Sequence, residues 1–323
     1  MLKRWNTLTS LVAAPLMAQP APAPAPAAAP PVDAARAAYE AMPNGPGSGP
    51  FAAVMEVDSG LANHVVYRPA DLSRLGGRKL GVLVWGNGGC RDDGASARQH
   101  LLEIASHGYL VIAPGRVLSG PTATERRAER VPDASGKLPP VATTTRAVLA
   151  GLDWALAENG RKGSRFKGRI DPAQVAVAGH SCGGLQALQA AGDKRIRAVL
   201  IHNSGVFADG SNPIQGITVD KSLLNTLHTP VVYFLGGPGD VAFPNGSDDY
   251  RKIGHVPAVL VNFPVGHGGT FLKPNGGAVA AAAVDWLEWQ LRADKAAART
   301  FTGANCRLCN GPEGYTIERK GLR

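Results

Sequence analysis

The stretch Val175-Ala176-Val177-Ala178-Gly179-His180-Ser181-Cys182-Gly183-Gly184 decides the reading of this chain. A short apolar run enters a Gly-x-Ser-x-Gly turn, and a helix is expected beyond it over Leu185–Ala191. A turn this tight needs small residues on both sides of the serine, and Gly179 and Gly183 supply them. The geometry lifts the hydroxyl above the strand. The helix aims its first N–H groups at the place where negative charge would develop. Ser181 is therefore a candidate nucleophile, and such a serine needs a base and a group to orient that base.

Strand-end motifs downstream offer both. The apolar run Val231–Leu235 ends in Gly236-Gly237-Pro238-Gly239-Asp240, which places Asp240 in a turn just past a strand. Asp248 and Asp249 compete with it in the same region. The run Val259–Phe263 ends in Pro264-Val265-Gly266-His267-Gly268-Gly269, where flanking glycines let a loop carry an imidazole over the serine. Nucleophile, acid and base then follow in the order Ser181, Asp240, His267. His180, His202, His228 and His255 are read as structural or surface residues.

Acyl transfer also needs two backbone donors for the oxyanion. The N–H of Cys182 is one candidate. The loop Gly86-Asn87-Gly88-Gly89-Cys90 supplies the other, with Asn87 first and Gly88 second. The same loop fails as a dinucleotide fingerprint, because Gly-x-Gly-x-x-Gly requires glycine where Arg91 stands.

Outward from these motifs, apolar strands alternate with helical stretches. Strands are expected at Phe51–Val57, His64–Tyr67, Lys79–Trp85, Gly108–Pro114, Val175–Gly179, Ala198–His202, Val231–Gly236 and Ala258–Phe263. Helices are expected at Ala95–Ser106 and Val141–Asn159, after the elbow, and at Gly277–Ala293. The pattern predicts an α/β fold with a doubly wound, mostly parallel sheet and an antiparallel leading edge. Residues 32–323 read as one domain with a C-terminal Cys-x-x-Cys tail. The segment between Gly205 and Pro230 is too short for a large cap, so an open, shallow site is expected. Gly115–Pro140 is a long basic loop suited to substrate contacts.

The N-terminus reads as an export signal over residues 1–18. Lys3 and Arg4 precede the apolar Leu8–Met17, and Ala18 is a cleavage candidate. Residues 19–31 are an Ala/Pro-rich linker of polyproline character. A periplasmic or secreted location is expected, with no transmembrane segment. The net charge is +9. Its clusters at Arg126–Arg130, Arg161–Arg169 and Lys194–Arg197 read as solvated loops and helix ends. No nucleic-acid motif accompanies them, so nucleic acid is not an expected partner. A monomer acting on a small-molecule or polymeric substrate is expected, without metal or organic cofactor.

Four cysteines, Cys90, Cys182, Cys306 and Cys309, allow three pairings in an exported chain. Proximity favours Cys306 with Cys309, leaving Cys90 with Cys182 at the two oxyanion segments. Free thiols in the pocket wall are the alternative. Cys306 and Cys309 lack a second pair of ligands for a metal site.

From about Leu80 to Trp289 these motifs resemble the α/β-hydrolase superfamily. They are Trp85-Gly-Asn-Gly-Gly89, Ser106-His-Gly-Tyr-Leu-Val-Ile-Ala-Pro114, Ile170-Asp-Pro172, Gly179-His-Ser-Cys-Gly-Gly184, Asp240 and Gly266-His-Gly268. Within it the chain looks like secreted esterases related to dienelactone hydrolases and cutinase-like polyester hydrolases. Trp85 departs from the His or Pro of many relatives, and Cys182 from their Met, Gln or Leu. The resemblance implies a serine esterase with Ser181 as nucleophile, Asp240 as acid and His267 as base. It implies oxyanion donors at Asn87 and Cys182. A lactonase, a dienelactone-type hydrolase or a peptidase would use the same triad, and a non-catalytic ligand-binding relative is a further alternative.

Overall fold

In a computed structural model, Met1 and residues 32–322 are described, except 129–130, 132, 135–138 and 212–213. The expected signal and linker, and Arg130 of the first basic cluster, lie outside the described residues.

Nine strands form one sheet: β1 (Ala53–Glu56), β2 (His64–Pro69), β3 (Leu80–Gly86), β4 (Tyr109–Pro114), β5 (Ile170–His180), β6 (Ala198–His202), β7 (Val231–Leu235), β8 (Ala258–Asn262) and β9 (Thr316–Lys320). Their order is β1-β2-β4-β3-β5-β6-β7-β8-β9. The six strands from β4 to β8 run parallel, and β1, β2 and β9 are antiparallel at the edges. This is the predicted mostly parallel α/β sheet. Its central strands are buried along their whole length, which is why they read as unbroken apolar runs rather than alternating ones.

Helices cover both faces: α1 (Val32–Ala41), α2 (Arg98–Ser106), α3 (Thr145–Gly160), α4 (Cys182–Ala190), α5 (Phe243–Lys252), α6 (Gly277–Arg292) and the short α7 (Lys295–Ala298). Alternate strand residues feed two cores. Val82 and Val84 pack with Val148, Leu152, Leu185 and Leu188 of α3 and α4. Leu83 and Trp85 pack with Leu101, Ile104, Trp286 and Leu287 of α2 and α6. A parallel sheet sandwiched in this way opens a crevice only beyond the C-terminal ends of its strands.

Several residues of the basic clusters are ion-paired. Arg161 meets Glu158, Arg165 meets Glu56 and Asp58, and Arg195 meets Asp153 and Asp193. No helix among the described residues is long and apolar enough to cross a membrane.

Candidate active site

β5 delivers the serine. Ser181 takes φ 53° and ψ −123°, a conformation that an L-residue adopts only under strain. The surrounding backbone imposes it. A Cβ on Gly179 would lie 2.1 Å from the Gly183 oxygen, and one on Gly183 would lie 2.1 Å from the Gly86 carbonyl. The turn, the start of α4 and the end of β3 thus touch backbone to backbone. Ser204 just past β6 holds the elbow from behind, its hydroxyl donating to the Ser181 carbonyl at 2.7 Å.

Three strand ends bring the predicted residues together. The Ser181 hydroxyl lies 2.9 Å from His267 Nε2, beyond β8. His267 Nδ1 lies 2.6 Å from Asp240 Oδ1, beyond β7. A carboxylate only accepts, so Nδ1 carries the proton and Nε2 is free to accept one from the serine. Asp240 is 1% exposed. Its Oδ1 also accepts from the Ala242 N–H at 2.9 Å, and its Oδ2 from Asn203 Nδ2 at 2.8 Å and the Gly236 N–H at 3.0 Å. Burial raises the Asp240 pKa, but the bonds from His267, Ala242, Asn203 and Gly236 outweigh it and bring it down to about 2.

The competing carboxylates sit elsewhere. Asp248 and Asp249 belong to α5 and pair with Lys221. Asn203 is a site residue that sequence reasoning missed. It follows β6, takes φ 46° and ties Asp240 to the Gly266 carbonyl. Its position at the end of a parallel strand was the available signal.

The second segment expected to supply an oxyanion donor follows β3. Asn87 is fully buried, and its Nδ2 donates to the Arg91 carbonyl at 2.9 Å and the Pro114 carbonyl at 2.7 Å. It shapes the loop from beneath. Gly88 and Gly89, rather than Asn87, border the cavity that holds Ser181 and His267. All four cysteines are paired, Cys90 with Cys182 and Cys306 with Cys309. The first bridge joins the residue after the serine to the end of the Gly88 loop.

The cavity measures about 310 Å³. The cavity is partly open to solvent, and among the described residues no large cap stands between Gly205 and Pro230. The segment after the linker contributes to its wall, with Arg36, Tyr39 and Glu40 of α1 lining the same cavity as Ser181 and His267. Buried Arg98 anchors that wall: it stacks on the Tyr39 ring and donates to the Tyr39 and Met42 carbonyls and to Asn44.

Beneath the cavity lies a ring cluster of Trp85, His100, His202 and Phe271. Both imidazoles are fully buried, and neither ring has a hydrogen-bond partner among the described residues. Burial pushes His100 down to about 3 and holds His202 well below the usual imidazole range. Both therefore stay neutral and serve as packing. Among the described residues, no group of three or more His, Cys, Asp and Glu is placed to hold a metal ion.

No family model matches the chain, and no curated protein matches it either.

Proposed function

We propose that this protein is an exported carboxylic-ester hydrolase of the α/β-hydrolase fold, working through an acyl-enzyme on Ser181. The observation that carries this reading is the continuous chain Ser181 Oγ, His267 Nε2, His267 Nδ1, Asp240 Oδ1, with contacts of 2.9 and 2.6 Å. Its members come from three strand ends and meet on a strained serine, an arrangement that packing alone does not require.

In this reading His267 Nε2 takes the hydroxyl proton as Ser181 Oγ attacks the ester carbonyl. The carbonyl oxygen gains the negative charge and is held by the N–H groups of Cys182 and the Asn87–Gly88 turn. Asp240 remains ionised, holds the Nδ1 proton in place and stabilises the imidazolium. The imidazolium then protonates the departing alkoxide. A water, activated by the same nitrogen, releases the acid and restores the serine.

Two disulfides fit an oxidising compartment and so support export. The cavity, with room for roughly ten water-sized groups, suits a small acyl or aryl ester. Labelling with a fluorophosphonate probe tests the reading. Wild type is expected to label and Ser181→Ala is not; an unlabelled wild type defeats the proposal. A matched ester, amide and lactone series separates an esterase from a peptidase or a lactonase.

A further inference from the structure

His180 stands between the elbow glycine and the serine, at the end of β5. Its ring lies over the cavity floor, 4.7 Å from the Phe271 ring and 5.3 Å from the His267 ring between centroids. His180 Nε2 lies 2.9 Å from the His267 carbonyl oxygen. A carbonyl only accepts, so Nε2 carries the proton and Nδ1 is the bare nitrogen. The opposite edge meets the oxyanion loop: a Cβ on Gly88 would lie 2.5 Å from His180 Nδ1. One rigid ring thus spans the gap between the segment that carries the base and the segment that carries a donor.

The His267 loop needs such a brace. Gly266 and Gly269 have φ of 70° and 54°, and glycine backbone around His267 resists bending poorly. Asp240 fixes the far end of the His267 ring, and Asn203 and Gly236 fix the Gly266 peptide. The bond from His180 fixes the peptide on the other side. Burial pushes His180 down to about 4, so the ring stays neutral and adds no charge to oppose an imidazolium on His267.

We propose that His180 is a positioning residue for acyl transfer, its ring bracing the His267 loop against the Gly88 turn so that base and oxyanion donor share one frame. This rests on the serine-hydrolase reading above.

The test compares wild type, His180→Phe and His180→Gln on one activated ester. Phe fills the space without a donor, and Gln returns an N–H at similar reach. Misplacing a base by a fraction of an ångström slows chemistry without weakening binding. His180→Phe is therefore expected to lose kcat by roughly tenfold to a hundredfold with KM little changed. His180→Gln is expected to regain most of that loss at a melting temperature no higher than that of the Phe variant. The downfield proton resonance of the His267–Asp240 bond is expected to broaden in the Phe variant and sharpen again in the Gln variant.

Wild-type kcat in His180→Phe overturns the proposal. So does a loss that follows melting temperature alone, with Gln no better than Phe. Both results leave the hydrolase reading intact, provided wild type still labels at Ser181. An unlabelled wild type removes the hydrolase reading itself, and this inference with it.

Discussion

Cys182, the residue after the strained serine, is bonded to Cys90 at the far end of the Gly88 loop, with their Cα atoms 5.3 Å apart and 92 positions apart in sequence. The bridge pins the two segments that carry the proposed oxyanion donors. Closing so long a loop restricts the unfolded chain, so replacing both cysteines by serine is expected to cost about 4 to 5 kcal/mol. Urea unfolding measures this. The residual kcat of the folded double variant should also fall, since the donors lose their fixed spacing. Titration of the denatured, unreduced protein should find no free thiol; two or more would contradict the pairing.

Ser181 holds a backbone conformation that glycine adopts without strain. Ser181→Gly is therefore expected to be more stable than Ser181→Ala by about 1 kcal/mol, the reverse of the usual order of these residues. Both variants should be inactive. Thermal melts of the pair decide it, and an alanine variant that melts higher would show that the turn is relaxed.

Asp240 sits near pKa 2 in the folded protein, against an ordinary value of 3.8. A depressed carboxylate contributes stability above its unfolded pKa and loses it as pH falls through the folded one. Between pH 4 and pH 2 that contribution, about 2 kcal/mol, should drain away. Asp240→Asn should flatten this part of the stability curve. It should also lower kcat by roughly four orders of magnitude, because an amide no longer fixes the Nδ1 proton. Denaturant melts across the acid range, with activity at neutral pH, check both effects.

Arg98 holds α1 over the cavity through the Tyr39 ring and three acceptors. Arg98→Met should loosen residues 32–44 and leave the sheet intact. Faster proteolytic clipping of that segment is expected, with KM for small esters raised several-fold and a smaller change in kcat. Equal KM in the two proteins would mean that α1 does not shape binding.

The parallel strands were legible because burial on both faces leaves unbroken apolar runs, and the site was legible because glycines and acid–base residues cluster where those runs stop. Other elements were not. α5 contains Pro244 and Gly246 among charged residues, and local propensity reads that stretch as a turn. β9 is Thr-Ile-Glu-Arg-Lys, an edge strand with little apolar content whose identity depends on pairing with β8. α1 follows directly on an Ala/Pro-rich tract, and its capacity to wall the site comes from distant Arg98. The burial of His100 and His202 was invisible because side-chain type alone gives no sign of it. His180 carries a clearer trace in the sequence. It lies inside the motif itself, yet its partner, the His267 carbonyl, is a backbone atom 87 residues away.

The face-to-face contact of Gly86 with Gly183 makes the backbone behind Ser181 a part of the molecule that accepts no added side chain. A Cβ on either glycine would meet the other's backbone at 2.3 Å or less, so the elbow and the β3 end leave no room for new side chains. Among the α1 residues that line the cavity, Arg36 is exposed, whereas Tyr39 and Glu40 are tied to Arg98, Ser96, Gly120 and Arg126. On the hydrolase reading proposed above, altered substrate preference would come from the side chains lining the cavity rather than from the elbow backbone. Two proteins sharing this elbow could therefore handle quite different molecules while their reactive centres superimpose.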